Sequence, residues 1–129
     1  MRLLLDTHIA LAATRGEVAR AGAKIDIALK SAANDIFISA ASLWEIAIKH
    51  RLGKLNLAIP LYDLPGYFEN LGFQHAVIDE RHAVEDLAQW PDTRDPFDRL
   101  LLAQCQVERM RLLTVDGKIK DHPLAWKPA

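Results

Sequence analysis

Arg2-Leu-Leu-Leu-Asp6 constrains this chain more than any other stretch. Leu3, Leu4 and Leu5 follow one another without a polar break and stop at Asp6. A short unbroken apolar run bounded by polar residues is the pattern of a strand buried on both faces, as in a parallel sheet covered by helices. The acid then stands at the strand's carboxyl end, which in an open α/β sheet is the edge where ligands bind. A carboxylate there must cap, pair or bind, because a lone buried charge is costly.

The remaining pattern agrees with such a sheet. Ile36-Phe-Ile38, Phe73–Ile78 and Arg111–Val115 read as further short strands. Between them lie helical periodicities: Thr7–Ala13, Glu17–Ala33, Ser39 or Ala40 to Leu52, Leu61–Leu71 with a break or kink at Pro65-Gly66, Asp79–Ala88, and Asp95-Pro96 through Met110. Gly53 is placed just past a helix end, behind Lys49, His50 and Arg51, where cations suit the helix dipole. Trp126 is expected in a last strand or packing segment of the tail. Strands alternating with helices predict an α/β fold, a parallel sheet of four to five strands with helices on both faces. At 129 residues one domain, 1–129, is expected.

Composition narrows the function. No apolar stretch is long enough to span a bilayer and no leader is visible, so no membrane association and a cytoplasmic location are expected. Cys105 is the one cysteine, which excludes a disulfide framework and a cysteine zinc site. A net charge of −1 supplies no global attraction to nucleic acid, so any such contact requires a local basic patch.

Two strands end in an acid, Asp6 and Asp116, and parallel central strands would place both on one edge. Glu45 shares a helical stripe with Ser42 and Lys49, beside an apolar face of Trp44, Ala47 and Ile48. Asp98 shares the stripe of Leu101, Leu102 and Cys105, so it points inward from its helix's first turn. Two unit charges about 5 Å apart repel by roughly 3 kcal/mol at an effective dielectric of about 20. Four carboxylates at one edge should therefore raise pKa values or bind cations. Hard oxygen donors without a Cys cluster or paired His suit Mg²⁺ or Mn²⁺, and such ions serve phosphate chemistry.

Each acid also has a structural reading. Asp95 is a natural N-cap with Pro96 at N1, and Asp98 at N3 would complete a capping-box-like start. Asp116-Gly117 could be a turn, Glu45 could pair with Lys49 in solvent, and Asp6 could cap the helix at Thr7. Thr7, Ser42 and Thr114 could bond to the acids or to local backbone. Arg94, Arg99, Lys49, Arg51 and Lys54 could line a phosphate groove or merely be solvated, and Trp44, Trp90 and Trp126 read as packing.

Leu3-Leu-Leu-Asp6-Thr-His8, Ser42-Leu-Trp-Glu45-Ile-Ala-Ile-Lys49, Asp95-Pro-Phe-Asp98-Arg-Leu-Leu-Leu-Ala-Gln104 and Leu113-Thr-Val-Asp116 together resemble the PIN-domain ribonucleases, and most closely the VapC-type toxins of toxin–antitoxin modules. The resemblance implies a three-layer α/β/α sandwich and a site of Asp6, Glu45, Asp98 and Asp116 holding Mg²⁺ or Mn²⁺. It makes Asp95 the helix cap beside the site and Thr114 a threonine near it. It implies cleavage of RNA phosphodiester bonds, a homodimer, a small VapB-like antitoxin partner, and operator DNA bound only through that complex. The segment Gly117-Lys-Ile-Lys-Asp-His-Pro123 departs from the aromatic-rich pattern common after the family's fourth acid. Two other readings stand beside it. One is a catalytically silent PIN-like binding module; the other is a phosphatase with Asp6 as nucleophile, which would want a second Asp where His8 stands.

Overall fold

The computed structural model describes residues 1–128. Four strands, β1 (Arg2–Leu5), β2 (Asp35–Ser39), β3 (Gln74–Ala76) and β4 (Arg111–Leu113), form a wholly parallel sheet in the order β3-β2-β1-β4. The helices are α1 (Thr7–Thr14), α2 (Val18–Ala21), α3 (Ala23–Lys30), α4 (Ala40–Arg51), α5 (Leu64–Asn70), α6 (Glu80–Ala83) and α7 (Pro96–Glu108). They cover both faces, so the expected α/β/α sandwich is the fold observed.

The leucine run of β1 accounts for the layering. Successive strand side chains point to opposite faces. Leu3 and Leu5 therefore join Ile9, Ile25, Ile38, Leu64 and Phe68 on one side, while Leu4 joins Leu101, Leu102, Cys105 and Leu112 on the other. Cys105 is wholly buried in that second layer, and burial pushes its thiol pKa well up, which leaves it inert.

Several elements are shorter than the periodicity predicts. The helix expected over Glu17–Ala33 is two, because the chain leaves helical geometry at Gly22, whose φ of 158° is open mainly to glycine. Within Leu61–Leu71 a 3-10 turn at Leu61–Asp63 leads into α5, and Pro65 sits in the first turn, where no amide donor is needed. The helix expected through Ala88 stops at Ala83. Asp79 and His82 close a capping box at its start, and beyond its end the Ala88 amide bonds to the Gln106 side chain instead of continuing a helix. Ala125 adds only a single parallel bridge to Leu112, so Trp126 is a packing residue and not part of a fifth strand. Gly53 takes φ 73° after α4, as its placement at a helix end requires.

One buried polar contact ties the layers together. Gln104 of α7 accepts a hydrogen bond from the Ser39 hydroxyl at the end of β2 and donates to the carbonyls of Ala76 and Val77 at 3.2 Å each. Both side chains are fully buried. Through it α7 is held against the carboxyl ends of β2 and β3.

Candidate active site

Parallel pairing brings the carboxyl ends of β1, β2 and β4 to one edge, and the acids follow from what comes next in the chain. Asp6 is the residue after β1. Its amide continues the ladder by donating to the Leu113 carbonyl at 3.0 Å. Its carboxylate, 2% exposed, does not cap α1; Oδ2 accepts the Thr114 hydroxyl at 2.5 Å. Burial pushes the Asp6 pKa up, the Thr114 bond and nearby His8 offset part of that, and Asp116 raises it further.

β4 ends at Leu113, earlier than the sequence predicts, so Asp116 lies three residues beyond it. Thr114 Oγ1 accepts the Asp116 amide at 3.0 Å while donating to Asp6, so one threonine links both acids. Asp116 Oδ1 accepts the Lys118 amide at 2.8 Å. The turn reading of Asp116 is thus partly right, and one carboxylate oxygen remains outside that turn.

α4 presents Ala41, Ser42, Glu45 and Ile46 inward. The Trp44, Ala47, Ile48 side is the less buried one, with Trp44 62% exposed and packed edge-on against Phe97. Glu45, 6% exposed, is therefore on the interior face and not in solvent. Its Oε1 lies 2.8 Å from the Thr7 hydroxyl and its Oε2 accepts Lys49 Nζ at 2.5 Å. The Thr7 hydroxyl is also 3.0 Å from Ser42 Oγ. Having one proton, Thr7 donates it to the carboxylate and can receive the Ser42 hydroxyl. Lys49 has its pKa raised chiefly by Glu45, then by Asp95 and Asp98. It is the counter-ion between Glu45 and the other acids.

Asp95 caps α7, its Oδ1 accepting the Phe97 amide at 2.8 Å. Asp98 does not close a capping box, since Thr93 takes that place. The Thr93 hydroxyl accepts the Asp95 amide at 3.2 Å and donates to Asp98 Oδ2 at 3.3 Å. Buried Thr93 is a site residue that sequence reasoning missed, and its signal was a threonine two positions before an N-cap aspartate. Arg99 donates to the Thr93 carbonyl at 3.0 Å and lies over the Trp90 ring at 5.2 Å. It braces this loop.

Asp98 carries the clearest mark of crowded negative charge. Burial first, then Asp95, Asp6 and Asp116, push its pKa up to about 7. Asp6, Asp98 and Asp116 therefore share one electrostatic neighbourhood, and Glu45 joins it through Lys49. Among the described residues no three His, Cys, Asp or Glu groups stand close enough to hold one ion together. The donors nevertheless fit Mg²⁺ or Mn²⁺: all are oxygens, and Mg²⁺ commonly keeps several waters while bound by one or two carboxylates. Asp6 and Asp98 are the pair whose raised pKa values call for a cation.

A pH dependence follows. The folded state holds the Asp98 proton up to about pH 7, whereas an unfolded aspartate releases it near 3.8. This contribution to stability is full below the unfolded value and is lost as pH rises through about 7. In chelator, the melting temperature should fall between pH 5.5 and 8.5, and Mg²⁺ should restore more of it at 8.5 than at 5.5. Equal Mg²⁺ effects at both values, read by scanning fluorimetry, would contradict the assignment.

Comparison with known proteins agrees with this fold. The PIN domain family model matches residues 3–123. The fold is similar to that in the crystal structure of VapBC2 from Rickettsia felis bound to a DNA fragment from their promoter, at 16% identity and a TM-score of 0.56, covering 97% of this chain and 96% of that one. No curated protein matches the sequence. With its acids at the carboxyl edge of a parallel sheet and a family match over nearly its whole length, the chain belongs to the PIN domain family.

Proposed function

We propose that this chain is an Mg²⁺- or Mn²⁺-dependent endoribonuclease, a single PIN-like domain acting as the toxin of a toxin–antitoxin pair. The observation that carries the reading is Asp6, buried at the carboxyl end of β1 and held by Thr114, which also binds the Asp116 amide, with Asp98 crowded by both acids. Negative charge of that kind, on hard oxygen donors, is built to receive a divalent cation. When bound, such an ion neutralises the phosphate oxygens and eases deprotonation of water.

The chain's own residues do the rest. Thr114 fixes Asp6 and the loop of Asp116, Thr93 fixes Asp98, and Thr7 with Ser42 and Lys49 fixes Glu45. These bonds hold the oxygens in place before substrate arrives, which is how a site stabilises a transition state without reorganising. By likeness to the VapBC2 fold, a small VapB-like antitoxin is the partner and operator DNA is bound only through their complex. A homodimer and a cytoplasmic location belong to the same reading. No helix among the described residues is long and apolar enough to cross a membrane.

A second reading, a silent binding module, is favoured by one observation: Glu45 is already paired with Lys49. Incubating total cellular RNA with the purified chain, freed of any antitoxin, separates the two. The nuclease reading expects discrete cuts with Mg²⁺ or Mn²⁺ and none with chelator. RNA left whole with either metal would favour the module.

A further inference from the structure

The acids that define the site repel the phosphates of a polyanion, and the chain's net charge of −1 offers no compensation. A groove beside them has the opposite sign. It encloses about 510 Å³, and its lining includes Lys24, Lys120, Lys127, Trp126 and Thr114, with Asp121 as the one acid among the described lining residues. The three lysines are exposed, and among the described residues none makes an ion pair. Lys127 Nζ rests on the His122 carbonyl at 2.8 Å, a neutral acceptor that leaves its charge uncompensated.

The groove shares Thr114 with the acid site. Thr114 forms part of its wall and is the residue that bonds Asp6 and the Asp116 amide. Lys120 belongs to the turn after Asp116, its amide donating to the Asp116 carbonyl at 2.8 Å. The segment that departs from the family's aromatic pattern thus delivers a cation to the rim of the site. Trp126 is half-buried against the core and offers part of an indole surface to the same groove.

We propose that this groove binds single-stranded RNA next to the bond to be cut, its lysines on phosphates and Trp126 against a base; the proposal rests on the nuclease reading. Cations with an aromatic surface are the composition of single-strand grooves, and an indole fixed in a groove wall can stack only on a base that is free of its neighbours.

The test is equilibrium binding of a fluorescein-labelled, mixed-sequence 12-nucleotide RNA in chelator, measured by anisotropy against salt. Each lysine–phosphate contact on a single strand contributes a slope of about −0.7 to log K against log salt. The K24Q/K120Q/K127Q variant should bind at least about tenfold more weakly at low salt and lose about 2 from the slope. W126A should weaken binding at least about fivefold, and W126F, which keeps a smaller aromatic face, should weaken it less. R20Q/K30Q/R109Q, with the same change in charge placed elsewhere, should bind close to wild type, and circular dichroism checks that every variant folds. Unchanged binding in the groove variant, an equal loss in the control variant, or no RNA binding by wild type overturns the proposal. A duplex bound as tightly with the same lysine dependence overturns the single-strand assignment. Groove-dependent binding without cleavage in Mg²⁺ or Mn²⁺ would remove the nuclease reading and leave the RNA groove standing. Cleavage with binding untouched in the groove variant would do the reverse.

Discussion

Replacing Asp98 by Asn should make the metal-free protein more stable at pH 8 while removing its RNA cleavage. Above about pH 7 Asp98 is ionised, half-buried and repelled by Asp95, Asp6 and Asp116. Asparagine keeps the shape and can still accept the Thr93 hydroxyl, but it carries no charge. After discounting for solvent screening, relief of that repulsion should contribute about 1 to 2 kcal/mol, a rise in melting temperature of roughly 5 °C. At pH 5.5, between the unfolded value of 3.8 and about 7, the gain should shrink to about half. Cleavage should fall by about a thousandfold, since losing a cation's stabilisation of the transition state is worth several kcal/mol. Such opposition of stability and activity is characteristic of charges held together for function. A variant that is less stable than wild type in chelator at pH 8 would show that Asp98 serves the fold.

The largest loss of stability should come from Gln104→Leu. The substitution is close in volume, but it leaves the Ser39 hydroxyl and the Ala76 and Val77 carbonyls without the partner they share. A buried polar group left unpaired costs about 1 to 3 kcal/mol, so the variant should lose about 3 kcal/mol and melt roughly 10 °C lower. Activity should drop even below the melting range, because α7 carries Asp98 and is positioned by this contact. A melting temperature within 2 °C of wild type, on the order of half a kcal/mol, would show that water replaces the amide.

These two residues mark where the sequence was legible. The layering could be read from Leu3-Leu-Leu5, because strand and helix periods are local. The start of α7 could be read from Asp95-Pro96, because a cap and an N1 proline act within one turn. The break at Gly22 inside the Glu17–Ala33 periodicity is invisible in sequence, because an apolar period carries no record of backbone dihedrals. The supports of the site were harder still. Thr114 and Asp6 are 108 residues apart, and Ser39 and Gln104 are 65 apart. Their pairing is a consequence of packing, which no local window contains. Lys49 could be seen four residues after Glu45, but its second role, facing Asp95 and Asp98, required α4 and α7 to be brought together.

The central claim is that buried Asp6 and its neighbours cleave RNA with a divalent ion. It is tested most directly by single-turnover cleavage of total RNA, with Mn²⁺ or Mg²⁺, by wild type beside Asp6→Asn, both shown to be folded. The account predicts discrete metal-dependent cuts from wild type and at least about a thousandfold less from the variant. Cuts made equally by both proteins would contradict it.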